Sequence, residues 1–192
     1  MTGFVKTTKD FGDAAAEIVR RGWPLHIWNH LKNWDSTWLD TVMNDGDLLD
    51  IGCITSMPLE IARHLNLKGR KVGIDPLIVN AELPHQVRGS AEDIPFSYGS
   101  FDFVTCLSVI EHGVNLDTFV FEMTRVLRRG GKFVITFDFW PWPKGNGLSW
   151  KELEDMLDVM RVNGLQLEPI DRTIGEPVVD GMTFGCVRGC KL

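Results

Sequence analysis

The stretch from Asp47 to Met57, DLLDIGCITSM, constrains the fold more than any other part of the sequence. A short apolar run ends at Asp50 and Gly52, and a segment with helical periodicity follows after a compact turn. This pattern predicts a buried parallel strand, a tight turn and a helix. In an open α/β sheet that arrangement binds a nucleoside-containing ligand at the carboxyl end of the strand. One such turn is weak support by itself, so the rest of the chain decides the assignment.

The length and the charge of the chain limit the classes of protein to consider. At 192 residues it suits one domain with a full hydrophobic core around a central sheet. Its hydrophobic fraction of 44% and charged fraction of 24% exclude extensive disorder. The net charge of -6 disfavours binding along a phosphate backbone, so we expect no nucleic-acid partner. One basic cluster is interpreted as the cationic end of a helix: Arg125, Arg128, Arg129 and Lys132.

The length of the apolar runs and the use of cysteine indicate the cellular compartment in which the protein is expected. No run approaches the roughly 20 apolar residues that a membrane span needs, and the amino terminus lacks the apolar segment of a signal peptide. We therefore expect a cytoplasmic protein with no membrane partner and with its four cysteines reduced. Cys53 and Cys106 are expected to be small buried residues. Cys186 and Cys190 lack a second ligand pair at zinc spacing, so no metal site is expected.

Residues 1–46 are expected to form a helical cover over the remainder of the chain. Residues 1–10 show no period, which predicts a poorly ordered tail. The segment from Phe11 to Arg21 predicts a short helix. In a second helical region Asp35 and Ser36 are expected to cap a new turn. Its large apolar side chains recur at roughly helical spacing: Trp28, Leu31, Trp38, Leu39 and Val42. These side chains either only pack the cover onto the sheet or also close it over a ligand site.

Residues 47–192 alternate strand and helix and are expected to form the core of a single domain. The predicted strands cover 48–52, 71–75, 86–88, 101–107 and 132–138. The predicted helices cover about 58–67, a short segment near Val79, and 116–127. Two final strands, around 165–170 and 182–187, complete the sheet after a reversal of direction through 175–181. The predicted fold class is α/β, a Rossmann-like sheet of seven mostly parallel strands with helices on both faces.

An irregular loop and a helix follow the fifth predicted strand. The loop, WPWPKGNGLSW, is rich in Trp, Pro and Gly and lies at the same sheet edge as the opening turn. Its Trp140 and Trp142 either form an apolar lid over a planar or sugar-like substrate or pack the sheet edge. Ser149 then caps an amphipathic helix with one apolar face: Leu153, Met156, Leu157 and Met160.

Acidic and small residues collect where the predicted parallel strands end. Asp50 and Gly52 close the first of these strands, and Asp75 in VGIDPL closes the second. A carboxylate at the second position can accept hydrogen bonds from both hydroxyls of a ribose, although Asp-Pro after a strand is also a common turn. The stretches GSAEDIPF and SFDFVTCLSVIEH follow at residues 89–96 and 100–112. All four stretches are expected at the carboxyl edge of the sheet.

Together with RVLRRGGKFVIT at residues 125–136, these stretches resemble the class I S-adenosylmethionine-dependent methyltransferases of the methyltransferase type 11 group. In that group the order is D-I-G-C-G-T-G, an acidic residue after the second strand, D-A-E-D-L-P-F, F-D-x-V, V-x-E-H and E-x-x-R-V-L-K-P-G-G. This chain supplies nearly every element in that order between residues 48 and 136. The resemblance implies S-adenosylmethionine as cofactor and S-adenosylhomocysteine as its product.

The resemblance also implies which residues contact the cofactor and the substrate. The residues expected at the methionine part of the cofactor are Asp50, Gly52 and Cys53. Those expected around the ribose and the adenine are Asp75, Pro76, Leu77, Ser90, Ala91 and Glu92. The residues expected along the passage to the reacting methyl group are Leu107 and Ser108. Two side chains are candidates for a catalytic base: His112, because histidine exchanges protons readily near neutral pH, and Asp138 at the end of the fifth strand.

The chain departs from the group at its glycine turn. Ile54 and Ser56 stand where the second and third glycines are usual. A side chain there can force a strained φ or block the approach of the backbone to the ligand. Either the loop takes another path that still admits the cofactor, or binding is weakened or lost. Ser90 also replaces a frequent Asp, which removes one acceptor and leaves the backbone contacts.

The expected function is methyl transfer to a small-molecule or saccharide-type nucleophile, at an oxygen or a nitrogen. The expected partner is that small molecule, and a homodimer is compatible with the sequence. The alternative is a non-catalytic methyltransferase-fold protein that serves as a binding or regulatory subunit, which the two lost glycines motivate. Methylation of RNA or DNA requires a basic groove, and the Trp-rich loop offers mainly Lys144 and Lys151.

Overall fold

The computed structural model describes residues 2–26, 29, 31–79, 85–141, 147–175 and 182–192. Within them one sheet contains nine strands: β1 (Thr2–Phe4), β2 (Leu48–Ile51), β3 (Lys71–Asp75), β4 (Gln86–Arg88), β5 (Phe101–Leu107), β6 (Leu127–Phe139), β7 (Leu165–Leu167), β8 (Ile170–Asp171) and β9 (Thr183–Lys191). The α-helices described there are α1 (Lys9–Arg20), α2 (Lys32–Thr37), α3 (Met57–His64), α4 (Leu116–Val126) and α5 (Trp150–Val162). Two 3-10 helices cover Trp38–Thr41 and Cys53–Thr55. The predicted α/β class is confirmed, with nine strands where seven were expected.

The parallel half of the sheet fixes the edge at which a site can form. Across the sheet the strand order is β4-β3-β2-β5-β6-β9-β1-β8, and β7 also pairs with β9. Strands β2 to β6 run parallel, so their carboxyl ends lie at one edge. Central strand β2 places Asp50 between Gly73 of β3 and Thr105 of β5. All residues of β2 are buried, as in a parallel strand covered on both faces.

Strand β1 corrects the expectation that residues 1–10 form a poorly ordered tail. Thr2–Phe4 is buried and lies between β9, to which it is antiparallel, and β8. The ring of Phe4 lies 4.7 Å from the ring of Phe139 and 5.5 Å from that of Trp150, centre to centre. A strand of three residues is too short to show a period in sequence, which explains why the pattern missed it.

The last part of the sheet follows the predicted reversal. Strand β9 is antiparallel to β6 along its length. The strand expected around 165–170 is divided into β7 and β8, because Pro169 between them has no N–H to continue a ladder. The connection expected over 175–181 and the helix expected near Val79 extend into 176–181 and 80–84, which lie outside the described residues.

Helices α1 and α2 pack against one face of the sheet. The buried residues of α1 are Phe11, Ala14 and Ile18. Trp34 of α2 packs edge-on against Trp38, with 5.5 Å between the ring centres, and its ring lies 6.5 Å from that of Phe184 in β9. Trp34 and Trp38 therefore pack the cover onto the sheet, and Trp28 lies outside the described residues.

Asp35 and Ser36 do not cap a turn, contrary to the sequence-based expectation. Both lie inside α2, whose N-cap is Leu31, and both are buried. Ser36 Oγ donates a hydrogen bond to the carbonyl of Lys32 at 3.1 Å. Asp and Ser prefer caps because their side chains satisfy free backbone N–H groups, but the packing of the cover on the sheet fixes where this helix begins.

The basic cluster is also corrected. Only Arg125 lies in a helix, in the last turn of α4, whereas Arg128, Arg129 and Lys132 belong to β6. Arg128 pairs with Asp102 at 2.6 Å and with Asp47 at 3.0 Å, which fixes the amino ends of three strands. Strand β6 begins at Leu127, five residues before the predicted start at residue 132, and so includes these basic residues.

Helix α5 begins and packs as predicted. Ser149 and Glu152 form a capping box at its start. Its predicted apolar face is buried: Leu153, Met156, Leu157 and Met160. None of the helices that the structure describes is long and apolar enough to cross a membrane.

Candidate active site

The turn after β2 requires a glycine at its first position. Gly52 has φ 79° and ψ 50°, in the left-handed region that favours glycine. A Cβ added there would lie 2.2 Å from Cγ2 of Val109, in the turn that follows β5. The predicted turn is therefore present, and the absence of a side chain at Gly52 lets two carboxyl-end turns meet.

The two positions that lack glycine take a different path. Ile54 lies in the 3-10 helix Cys53–Thr55, and its side chain is 51% exposed. Ser56 has φ -67° and caps α3, with its Oγ accepting a hydrogen bond from the N–H of Leu59 at 3.0 Å. Neither residue needs a left-handed backbone, so the departures from the glycine pattern cause no strain here.

Asp50 is a buried carboxyl beside that turn. Its Oδ1 accepts a hydrogen bond from Thr105 Oγ1 at 2.6 Å. Burial raises the pKa of Asp50 to about 6, and the nearby charge of Asp75 acts in the same direction. Cys53, which follows Gly52, is buried, and burial raises the pKa of its thiol to about 12. Asp50 therefore favours a cation beside it, whereas the Cys53 thiol is inert.

The residues expected around the nucleoside collect at the ends of β3 and β4. Asp75 ends β3, and its Oδ1 accepts a hydrogen bond from the N–H of Leu77 at 2.8 Å. Pro76 is exposed, and the apolar side chain of Leu77 is 73% exposed. An exposed leucine two residues after Asp75 presents an apolar face at this edge of the sheet.

The segment after β4 has the form of a tight turn. Ser90 Oγ accepts a hydrogen bond from the N–H of Glu92 at 3.1 Å, and Ala91 between them is buried. Glu92 Oε1 accepts a hydrogen bond from the N–H of Asn115 at 3.1 Å. The Ser90 hydroxyl thus holds the turn, and the residues expected at the adenine edge stay together.

Ser108 connects the end of β5 to the cover. It has φ 51°, which is unusual for a residue with a side chain, and such strain clusters at functional sites. Its N–H donates to the carbonyl of Thr136 at 2.9 Å, and its Oγ donates to Oδ2 of Asp35 at 3.1 Å. Leu107 before it is partly buried and lines the same cavity as Gly52.

A second group of ionisable residues lies beyond Ser108. Glu111 Oε1 accepts a hydrogen bond from the N–H of Asp138 at 3.2 Å, and its buried Oε2 has no partner in the part of the chain that the structure describes. Burial, together with the charge of Asp138, raises the pKa of Glu111 to about 8. Burial also raises the pKa of Asp138, against which the charges of Lys32 and His112 act. His112 itself is exposed.

The Trp-rich loop begins beside this group. Trp140 is partly buried, and its backbone N–H donates a hydrogen bond to the carbonyl of Leu148 at 2.8 Å. This bond ties the start of the loop to the residues that precede α5. The expected role of Trp142 in a lid lies outside the described residues.

The cover and the Gly52 turn enclose a small cavity of about 30 Å³. Its lining includes residues from α2, β2 and β5: Lys32, Asp35, Asp50, Gly52 and Leu107. It adjoins a groove of about 700 Å³ beside α3 through shared lining residues: His26, Thr55, Ser56 and Met57. The space beside the turn is therefore narrow under α2 and wide along α3.

Three residues of this edge were not among the site residues predicted from the sequence: Lys32, Asp35 and Glu111. Asp35 was interpreted as a cap, and Glu111 was included only as part of the stretch that matches V-x-E-H. The sequence did offer one indication that Asp35 has a role: it lies between Trp34 and Trp38, in a segment rich in large apolar side chains. A carboxylate at such a position is costly unless it has a binding role or a partner.

S-adenosylmethionine fits the groups present at this edge. It carries positive charge on its sulfonium and ammonium groups, and Asp35 and Asp50 are buried carboxyls whose pKa values burial raises. Gly52 leaves room that a Cβ would fill. Asp75 ends β3, where a carboxylate can accept hydrogen bonds from ribose hydroxyls, and the exposed Leu77 follows it.

Comparison with known proteins supports the same assignment. The family described as "Methyltransferase domain" matches residues 49–135. The ubiquinone biosynthesis O-methyltransferase of Xanthomonas oryzae pv. oryzae is 26% identical over 142 residues, which covers 65% of this chain and 59% of that protein. The chain thus spans about three fifths of the length of that curated relative. The ajmaline N-methyltransferase of Rauvolfia serpentina is 30% identical over 101 residues, covering 46% of this chain and 35% of that protein.

The fold has a close counterpart among solved structures. Geranyl diphosphate methyltransferase in complex with SAM superposes with a TM-score of 0.67 at 16% identity, covering 100% of this chain and 98% of that one. The superposition supports the fold, and the family match spans the β2 turn and the strands that build the candidate site. The chain is therefore similar to the class I S-adenosylmethionine-dependent methyltransferases, through the family described as "Methyltransferase domain" over residues 49–135.

Proposed function

We propose that the protein transfers the methyl group of S-adenosylmethionine to an oxygen or nitrogen of a small-molecule or saccharide-type substrate. The observation that carries this proposal is the pair of carboxyl groups beside the Gly52 turn, with Asp50 in β2 and Asp75 at the end of β3. Bound S-adenosylmethionine supplies an activated methyl group. The protein therefore mainly has to hold a nucleophile in line with that group and exclude water.

The residues around the cofactor have separate tasks in this proposal. Asp75 accepts hydrogen bonds from the ribose hydroxyls, and Leu77 lies against the adenine ring. The carboxylate of Asp50 attracts the positively charged methionine part of the bound cofactor and so stabilises the complex. Leu107 and Ser108, at the end of β5, shape the passage from the cofactor to the substrate.

A hydroxyl acceptor loses a proton on methylation, and a protonated amine has to lose one before its nitrogen can attack; the residues beyond Ser108 are suited to accept that proton. Asp138 is partly buried and faces the charges of Lys32 and His112, so it is the acceptor that we favour at neutral pH. Glu111 joins this set because its buried Oε2 has no partner among the described residues. Since the pKa of Glu111 is raised to about 8, it accepts a proton only where it is ionised, in alkaline solution. The exposed His112 is placed to exchange that proton with solvent.

The acceptor atom stays open between oxygen and nitrogen, since one named relative is an O-methyltransferase and another an N-methyltransferase. A small molecule is favoured over nucleic acid by the net charge of -6. Two of the four residues of the basic cluster are engaged in ion pairs, Arg125 with Glu122 and Arg128 with Asp47 and Asp102, so only part of the cluster is available to a phosphate backbone.

The alternative is a non-catalytic protein of the same fold, and the narrow cavity beneath α2 is the observation that favours it. Isothermal titration with S-adenosylmethionine and S-adenosylhomocysteine separates the two. We expect micromolar dissociation constants for both ligands, followed by release of S-adenosylhomocysteine when phenol, alcohol and amine acceptors are supplied. The absence of binding at millimolar ligand would overturn the proposed function.

A further inference from the structure

The cover helix carries an ion pair on the face that meets the candidate site. Lys32 and Asp35 are three residues apart on α2, and their side chains approach to 3.4 Å between Nζ and Oδ2. Asp35 is only 2% exposed, and its side chain is the most buried carboxylate among the ion pairs of the described residues. Placing a charged pair in such surroundings is costly, so the pair needs a reason beyond helix stability.

The bonding of Asp35 is incomplete. Its Oδ2 accepts a hydrogen bond from Ser108 Oγ at 3.1 Å and faces Lys32. Its Oδ1 is buried and has no hydrogen-bond partner in the ranges that the structure describes. A buried carboxylate oxygen without a donor loses its hydration without replacement. Burial accordingly raises the pKa of Asp35, against the opposing effects of Lys32, Ser108 and the nearby hydroxyl of Thr136.

The residues around Lys32 and Asp35 indicate which kind of ligand group could donate a hydrogen bond to Oδ1 of Asp35. Lys32 and Asp35 line the cavity of about 30 Å³ together with Asp50, Gly52 and Leu107. One wall therefore presents a cation and an anion side by side, and Asp50 adds a second carboxyl. A ligand group that carries an ammonium and a carboxylate on the same carbon complements this wall.

We propose that Lys32 and Asp35 bind the amino-acid end of S-adenosylmethionine, with Asp35 accepting hydrogen bonds from its ammonium group and Lys32 pairing with its carboxylate. This inference rests on the proposed function and assigns two binding residues to the same site. It makes α2 a part of the cofactor site, joined through Ser108 to the passage towards the substrate. Ligand discrimination then depends on the cover as well as on the Gly52 turn.

The volume of the cavity adds a structural consequence. About 30 Å³ holds about two water molecules, which is less than an amino-acid group occupies. The group therefore extends from the cavity into the wide groove beside α3, with which the cavity shares lining residues. The ion pair between Lys32 and Asp35 is exchanged for pairs with the ligand, so neither charge is left alone.

The experiment compares ligands that differ only at the amino-acid end. S-adenosylhomocysteine carries both groups, its decarboxylated analogue carries only the amine, and 5′-methylthioadenosine carries neither. Isothermal titration is run with the wild-type protein, Asp35→Asn and Lys32→Met. Lys151→Met and Asp155→Asn are matched controls, since that pair is exposed on α5.

We expect Asp35→Asn to weaken S-adenosylhomocysteine about tenfold or more while 5′-methylthioadenosine changes less than about threefold. Lys32→Met should weaken S-adenosylhomocysteine but not the decarboxylated analogue. A purely structural pair would instead change all three ligands equally, or none of them, and either result overturns the inference. If Asp35→Asn does not fold, the comparison with Lys32→Met decides alone. Failure of the wild-type protein to bind any of the ligands would reject the proposed function itself.

Discussion

Glu111 Oε1 accepts a hydrogen bond from the backbone N–H of Asp138 at 3.2 Å, which joins the turn after β5 to the end of β6. The bond uses one carboxyl oxygen and leaves Oε2 buried without a partner among the described residues. The native state therefore prefers the protonated, uncharged form of Glu111, and this preference links folding to pH.

We expect Glu111→Gln to stabilise the protein in alkaline solution. In the native state the pKa of Glu111 is raised to about 8 from 4.5. Between those values the native state keeps a proton that the unfolded chain releases, so the wild-type protein loses stability as the pH rises. Glutamine keeps the shape and cannot ionise. Urea unfolding should show little difference near pH 4.5 and an advantage of about 2 kcal/mol for the variant near pH 9.

Glu60→Gln is the control for this comparison, because Glu60 is exposed on α3. Its difference from the wild-type protein should stay within about 0.5 kcal/mol at both pH values. A pH-independent effect of Glu111→Gln would contradict a protonated Glu111 in the native state.

Local patterns were sufficient for the elements that carry long apolar runs. β2, β3 and β5 were placed within one residue of their observed ends, because buried parallel strands are continuous apolar segments. Ser149 and Glu152 likewise marked the start of α5 by a local hydrogen-bonding rule. Where neighbours in sequence decide the structure, the sequence predicts it.

Tertiary contacts decided what the patterns missed. β1 is a strand only because β8 and β9 supply its partners. Asp35 lines the cavity beside Gly52 only because the cover brings it to Ser108, 73 residues away along the chain. Such a placement has no periodic signal, so a residue of this kind is found from the structure.

We expect the affinity for S-adenosylhomocysteine to fall as the pH decreases through about 6. Burial raises the pKa of Asp50 to about 6, so in the free protein this carboxyl becomes neutral below that value. The ionised form binds the ammonium group of the ligand, and protonation removes the attraction. Titration at pH 7 and pH 5 should differ by about tenfold in dissociation constant.

Asp50→Asn tests the origin of that dependence. The variant should bind S-adenosylhomocysteine more weakly at pH 7 and should show a reduced pH dependence. The ligand 5′-methylthioadenosine has no ammonium group and serves as the control, with a nearly constant affinity. An equally steep dependence for both ligands would exclude Asp50 as its source.

We expect Gly52→Ala to destabilise the fold and to abolish cofactor binding. The added Cβ would lie 2.2 Å from Cγ2 of Val109, in addition to the strain of φ 79°. Gly164→Ala is a matched control, since Gly164 also has φ 79° but has nothing within 4 Å of the added Cβ. Strain alone costs about 1–2 kcal/mol, so Gly164→Ala should lose that amount and Gly52→Ala distinctly more in urea unfolding. Equal losses would show that the contact with Val109 relaxes freely.

We expect that restoring the family glycines does not improve the site. Ile54 is 51% exposed in a 3-10 helix, so Ile54→Gly should leave the dissociation constant of S-adenosylhomocysteine within about threefold of the wild-type value. Ser56 caps α3 through the N–H of Leu59, so Ser56→Gly should lower the free energy of unfolding by a few tenths of a kcal/mol and Ser56→Ala by about 1 kcal/mol. Isothermal titration and urea unfolding of the three variants measure both effects. A tenfold or greater gain in affinity with Ile54→Gly would show instead that its side chain obstructs the cofactor, and that the 3-10 turn is an impediment to binding and not an alternative path.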